Sequence, residues 1–211
     1  RRKDFPMWAV FHEVMKTKGI TNYEAIYGIN LESPTLPDDI GIFDFVHSTG
    51  ILYHAPSPVL GVFNLSRVTR RYLIVNTVTV PSVIENEAGR LTIPSCGVLF
   101  LPALKDQERA ILKRHYIKIL QGWDETKFDN LIPDPMRGDA PMPYIQAREP
   151  KSGHYWEGPG GLSYTPYWWA WHEDAFRSLV TMMGFRILDE HNPRRHALAL
   201  LCERVSGTSS F

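Results

Sequence analysis

The chain has 211 residues, of which 44% are hydrophobic and 22% charged, and these totals suit one α/β domain with a sizeable core. Its 23 basic and 23 acidic residues cancel, so no overall field attracts nucleic acid or an anionic membrane. Two cysteines are too few for a disulfide framework, so we expect a reducing, cytoplasmic compartment and no metal site. No apolar run is long enough to span a bilayer.

The first predicted element is an amphipathic helix over residues 5–18. Trp8, Phe11 and Met15 recur at helical spacing and Gly19 follows the last of them, so we interpret it as a helix that packs on a core. An apolar run over residues 25–31 then predicts a strand.

The most informative stretch covers residues 43–58. Residues 43–46 predict a short buried strand, and a corner of small residues at 48–50 lets a ligand approach the backbone closely. An aromatic-histidine pair follows, and Ser57-Pro58 predicts a helix with Ser as N-cap and Pro at its first position. Such an order is typical of the ligand-facing end of an α/β unit.

Downstream, residues 58–68 predict a helix and residues 72–80 a strand rich in β-branched residues. Asn76 and Thr77 lie near the carboxyl end of that strand, and both facing the site and simple alternation on a sheet stay open for them. Residues 81–165 do not fit the same pattern, and we interpret them as one large insertion with a helix near 105–121.

Within this insertion, glycines surround Tyr155 and Trp156 at residues 153–161. A phosphate-binding loop would need a preceding strand and a following helix, and neither is evident, so we expect a mobile lid instead. An aromatic stretch at 164–172 leads into a helix that begins near Glu173. Two strands, 185–189 and 196–205, end the pattern.

The motifs Phe-Asp-x-Val, Gly-Ile-Leu-Tyr-His and Ser-Pro within residues 43–58 resemble class I S-adenosylmethionine (SAM) dependent methyltransferases. The similar group includes small-molecule methyltransferases and tRNA wobble-uridine carboxymethyltransferases. The resemblance implies a Rossmann-like sheet of order 3-2-1-4-5-7-6, with strands 3 to 7 in this chain. Residues 1–80 would form the carboxyl part of the SAM-binding core, 81–165 the insertion or substrate lid, and 166–211 the last helix and hairpin.

Strands 1 and 2, the glycine-rich loop after strand 1 and the acidic residue after strand 2 have no counterpart in the sequence. A central strand without its neighbour would leave backbone groups unpaired, at about 1–3 kcal/mol each. We therefore expect a further segment before Arg1. The alternatives are a non-catalytic remnant and a site that another chain completes, and a homodimer is left open.

The resemblance also implies roles for particular residues. Tyr53 and His54 would be catalytic, with His54 as the base that takes a proton from the acceptor; the alternative is an ordinary loop histidine. An adenine contact falls to Glu32, or alternatively to Asn30. The corner and the methionine end of the cofactor involve Ser48, Thr49, Gly50 and Tyr53. The aromatic pattern itself, apart from the resemblance, predicts a substrate pocket with a fixed floor of Tyr167, Trp168 and Trp171 and a mobile flap around Trp156. His172 is a further predicted substrate-binding residue.

We expect a methyltransferase that uses SAM and acts on a small-molecule acceptor. One alternative is a tRNA-modifying (carboxy)methyltransferase, against which the zero net charge speaks, because phosphate contacts need clustered Lys and Arg. The other is a methyltransferase-like module that only binds a partner. Nucleic-acid and membrane partners are not expected.

Overall fold

A mixed sheet of six strands organises the part of the chain that the computed structural model describes. Its longest strand is β2 (Thr69–Val80), and β1 (Phe43–Ser48) runs parallel along the first half of it. On the other side, β8 (Ala197–Arg204) pairs antiparallel with β2, and β7 (Phe185–His191) pairs antiparallel with β8. The predicted mixed α/β class is confirmed. The described residues are 6–26, 29–132, 167–192 and 196–205.

Four short strands extend this sheet or lie beside it. The last residues of β2 pair in parallel with β6 (Trp169–His172), which pairs antiparallel with β5 (Val98–Phe100). A separate hairpin joins β3 (Val83–Asn86) and β4 (Gly89–Thr92). The sequence did not predict these four strands, because strands of three or four residues are too short to show a clear alternation.

The helices divide the interior into two clusters. On one face of the sheet, α3 (Pro58–Val68) and α6 (Glu173–Met182) bury Leu73, Val75 and Phe176. Beyond the end of β2, α4 (Asp106–Ile119) and α5 (Glu125–Leu131) form the second cluster, centred on Tyr116 and Phe128. In the described residues, no helix has both the length and the hydropathy needed to cross a membrane.

A buried cation joins α4 to α5. The side chain of Arg109 is 6% exposed and donates to Asp129 at 3.0 Å and to the carbonyl of Ile132, with its guanidinium above the Phe128 ring. Lys113 donates to the same carboxylate at 2.8 Å. Burial favours the neutral acid, but the two hydrogen bonds outweigh it and hold the pKa of Asp129 below its usual range.

The segment before β1 differs from the prediction. Residues 25, 26, 29 and 30 are not in a strand and Leu31 lies in a turn, although a strand was expected over 25–31. The carbonyls of Leu31 and Ser33 accept hydrogen bonds at 2.8 and 2.9 Å from the amide of Asn64, which is fully buried in α3. This backbone is therefore satisfied by a side chain of α3 rather than by a neighbouring strand. The segment continues into the short α2 (Leu36–Ile40).

Two apolar surfaces that the sequence predicts to be buried are exposed. The first helix, α1 (Pro6–Thr17), forms nearly as predicted, yet Phe11 of its predicted core face is 38% exposed. Phe43 and Phe45 of β1 are 43% and 53% exposed, because β2 covers one edge of this strand and α3 one face. The predicted burial is therefore wrong for these residues, although the secondary structure is present.

Candidate functional site

The corner at the carboxyl end of β1 is the centre of the candidate site. Ser48 is the last residue of β1 in register with β2, opposite Val75. Two residues later Gly50 has a φ of 77°, a left-handed conformation that glycine adopts without the steric cost of a Cβ. Its N–H donates to the side-chain oxygen of Asn76 on β2 at 2.8 Å. This bond extends the contact between the two strands past the point where their ladder ends.

The predicted catalytic pair follows on a single 3-10 turn, Leu52–His54. Leu52 and Ala55 are each 1% exposed and anchor the turn in the interior, while Tyr53 and His54 between them are half-buried. The Tyr53 hydroxyl lies 3.8 Å from the place where a Cβ on Gly50 would stand. The phenol therefore reaches back over the corner, as a residue that faces a ligand there would.

Three aromatic rings meet beside this corner. The ring centroid of Tyr53 is 4.3 Å from that of His54 and 4.7 Å from that of Tyr167, and His54 and Tyr167 are 5.1 Å apart. The structure thus brings the predicted catalytic pair into contact with Tyr167 of the predicted pocket floor. The ring centroid of Trp123 lies 6.0 Å from that of Tyr167 and adds a fourth ring to this cluster, and no motif in the sequence indicated Trp123.

The segment that carries Tyr167 is also bonded to the turn. The N–H of Trp168 donates to the carbonyl of Tyr53 at 2.8 Å, and the indole N–H of Trp169 donates to the carbonyl of Pro56 at 3.0 Å. The ring of Trp168 stacks on Phe100 of β5. Trp169 was not among the predicted site residues, because only the register of β6 shows which of the consecutive tryptophans reaches the turn.

Trp171 of the predicted floor and His172, also predicted to bind substrate, both have structural contacts. Trp171 is 6% exposed and packs near Phe176 in the core. His172 is 8% exposed, and its Nδ1 accepts the N–H of Asp174 at 3.2 Å as the N-cap of α6. Because Nδ1 accepts, the neutral ring carries its proton on Nε2, which lies 2.8 Å from the Ser82 hydroxyl. Their part in a pocket stays a prediction.

The residues predicted to contact adenine lie at the start of α3. One carboxylate oxygen of Glu32 accepts the N–H of Ser57, and the Asn30 side chain accepts the N–H of Glu32 at 3.0 Å. Ser57 is the N-cap residue, as predicted, but its side chain makes no capping bond. Glu32 therefore bonds the amide at the start of α3 and places its negative charge at the positive end of the helix dipole.

Of the two remaining predicted residues, Thr49 lies in the corner and Trp156 lies outside the described residues. Thr49 lies in the exposed corner between Ser48 and Gly50. Trp156 and the predicted lid around it fall outside the described residues, as do Tyr164 to Pro166 of the aromatic stretch.

The phenol of Tyr116 lies next to Trp123, in the interior of the protein. Tyr116 is fully buried, 5.5 Å from Trp123, and its hydroxyl has no hydrogen-bond partner among the described residues. Burial raises the pKa of Tyr116 far above its usual value, and the nearby Tyr167 adds to the effect. A phenol in this state stays neutral at any physiological pH, so it can only donate or accept a hydrogen bond.

The corner also has features that fit a bound ligand. The Ser48 hydroxyl is buried and has no hydrogen-bond partner in the part of the chain that the structure describes. An unpaired buried hydroxyl costs free energy. The exposed part of the corner is formed by Gly50, with its positive φ and no Cβ, and by the nearby Tyr53 hydroxyl, and these two are compatible with the methionine end of SAM.

Comparisons with known proteins add a similarity of structure. No family model matches the sequence, and no curated protein matches it. A solved structure of an O-methyltransferase family 2 protein from Planctomyces limnophilus DSM 3776, in complex with apigenin, is similar with a TM-score of 0.46 and 10% identity. The match covers 94% of this chain and 40% of that one. Similarity this low is too weak to show a shared function.

Proposed function

We propose that this chain carries the acceptor side of a SAM-dependent methyltransferase that acts on small molecules. One observation carries the proposal. The pairing of β2 is parallel with β1 and antiparallel with β8, and β8 pairs antiparallel with β7, which supports the part 4-5-7-6 of the sheet that the sequence resemblance implies. The Tyr53–His54 pair follows the first of these strands, and ligands of α/β sheets bind at the carboxyl ends of strands.

SAM, when bound, supplies the electrophilic methyl group, so the protein's task is to position and polarise. Gly50 would let the backbone approach the cofactor, and the Tyr53 hydroxyl, which already lies over Gly50, would fix its reacting end. His54 would accept the proton of an acceptor hydroxyl, a role for which an imidazole is suited near neutral pH. Holding SAM and the acceptor in line contributes more to the rate than this proton transfer does.

The ring cluster indicates the kind of acceptor. Tyr167 and Trp123 offer flat apolar surface beside His54, and such surface binds planar or apolar molecules and excludes water from the reacting groups. The adenine contact of Glu32 or Asn30 remains part of the proposal. It requires Glu32 to hold the Ser57 amide and the nucleotide at once.

A nucleic-acid substrate is not favoured by the described surface. The basic residues Arg109, Lys113 and Arg114 of α4 each pair with an acidic side chain within 4.0 Å. These pairs lower the positive potential that this part of the helix presents to phosphate, and contacts between cations and phosphate are the main source of affinity for nucleic acid.

Calorimetric titration of S-adenosylhomocysteine into the full natural protein tests the proposal. We expect a dissociation constant below about 1 mM, equivalent to a binding free energy more favourable than about −4 kcal/mol. Transfer of a labelled methyl group to a panel of phenols, carboxylic acids and sugars then tests the acceptor class. If His54 is the base, His54→Ala should lower turnover by about 10²–10⁴-fold and leave cofactor affinity nearly unchanged. No heat at millimolar ligand would exclude the cofactor.

A further inference from the structure

We infer that Asn76 is a positioning residue, which fixes the Gly50 corner and through it the Tyr53–His54 turn. The inference rests on the proposed function, because it takes that turn as the reacting edge. It uses a contact that the mechanism above leaves without a role: the hydrogen bond at 2.8 Å from the Gly50 N–H to the Asn76 side chain, across 26 residues of sequence.

The place of Asn76 on β2 explains why its side chain matters. The regular pairing of β1 with β2 ends at Ser48 and Val75, and Asn76 is the next residue on β2. Beyond this point the backbone of the corner has no ladder to hold it. The Asn76 oxygen takes the place of a ladder carbonyl and gives the Gly50 N–H an acceptor, as a backbone amide requires.

The position of Gly50 affects the position of the Tyr53 side chain. Gly50 is held at a φ of 77°, and the Tyr53 hydroxyl stands 3.8 Å from the virtual Cβ of the same glycine. A shift of Gly50 would therefore change the surface on which the hydroxyl rests. Tyr53 in turn contacts the His54 ring at 4.3 Å. The side-chain bond on β2 thus fixes the backbone beside which the Tyr53 hydroxyl lies, and Tyr53 lies against the proposed base.

The far side of the turn is fixed independently. Trp168 and Trp169 donate to the carbonyls of Tyr53 and Pro56, at 2.8 and 3.0 Å. With this side held, loss of the Asn76 bond should tilt the turn rather than release it. A tilt moves the His54 ring against Tyr53 and Tyr167, and a small displacement of a reacting group is enough to lower a rate about 100-fold.

The experiment compares Asn76→Leu with Asn76→Asp and with the matched control Asn86→Leu. Asp keeps an oxygen acceptor for the Gly50 N–H, while Leu removes it at similar size. Asn86 sits in the β3–β4 hairpin, where its side chain also accepts a backbone N–H, from Ala88 at 3.0 Å. The control therefore removes a bond of the same kind away from the corner, together with the bond of 2.9 Å that the Asn86 amide donates to the carbonyl of Ile111.

The first measurement is the NMR resonance of the His54 ring, assigned with His54→Asn, because the Tyr53 and Tyr167 rings lie 4.3 and 5.1 Å from it and shift its frequency. We expect Asn76→Leu to move or broaden this resonance, Asn76→Asp to restore it, and Asn86→Leu to leave it unchanged. The second is affinity for S-adenosylhomocysteine, expected to weaken about five- to tenfold in Asn76→Leu only, as for the loss of one ordering hydrogen bond.

A His54 resonance that is the same in wild type and Asn76→Leu would overturn the inference, as would equal shifts in Asn76→Leu and Asn86→Leu. If Asn76→Leu does not fold, Asn76→Ala removes the acceptor without adding an apolar branch and is judged by the same resonance. Failure of the wild type to bind S-adenosylhomocysteine would refute the proposed function alone, because the resonance still decides the role of Asn76.

Discussion

Asn64→Ala should be among the most destabilising single changes to a polar side chain in this chain. Asn64 is fully buried in α3, and its amide donates to the carbonyls of Leu31 at 2.8 Å and Ser33 at 2.9 Å. Each such bond contributes a net stability of about 0.5–1.5 kcal/mol. Loss of both should therefore lower the free energy of unfolding by about 1–3 kcal/mol, since the two carbonyls lose the donor that Asn64 supplies.

Urea denaturation measures this effect, with the slope m as a check that the denatured state is unchanged. Asn192→Ala is the matched control: its amide donates to Glu173 at 2.8 Å, but on the exposed surface, so we expect a loss below about 0.5 kcal/mol. If Asn64→Ala loses no more stability than Asn192→Ala, the two bonds do not hold the segment to α3.

Three further predictions concern groups away from the corner. Tyr116→Phe should leave the unfolding free energy unchanged or raise it by up to about 1 kcal/mol, since the lost hydroxyl has no partner among the described residues; a clear loss in urea titration would reveal a hidden partner. A thiol reagent at pH 8 should modify exposed Cys96 quickly and spare Cys202, because burial raises the pKa of Cys202 to about 12; a fast phase that persists in Cys96→Ser would contradict this. The pKa of Asp129 is lowered on folding, so its stabilising contribution is complete above the unfolded pKa of about 4 and is lost as the pH falls below it. The stability difference between wild type and Asp129→Asn should then shrink between pH 6 and pH 3, and a constant difference would refute the assignment.

Elements with strong local signals could be predicted from the sequence. The helix Pro58–Val68 has the predicted bounds, because its Ser-Pro start and its apolar periodicity agree. The strand β2 begins three residues before its predicted start at Tyr72, since Thr69, Arg70 and Arg71 do not form an apolar run. Pairing with Phe43 brings them into the strand, and no local pattern contains that information.

In the candidate site, too, single residues could be predicted from local motifs, but their contacts across the fold could not. The sequence indicated Tyr53, His54 and Tyr167 one by one, but their ring contacts depend on segments that are distant in the chain. The bond from Gly50 to Asn76 depends on the register of β1 and β2 and could not be predicted. Glu32 stands beside Ser57 because a helix start needs an acceptor for its first N–H groups, and a motif match cannot reveal that use.

The position of β8 inside the sheet affects how the chain must fold during synthesis. This strand lies between β2 and β7, yet it follows β2 only after all of residues 81–196. At a synthesis rate of about 5–20 residues per second, β8 is made on the order of ten seconds after β2. Throughout that time the apolar run Leu73, Ile74 and Val75 has one unpaired edge. Chaperone binding to nascent chains should therefore peak once β2 has left the ribosome and fall only when Arg204 has emerged.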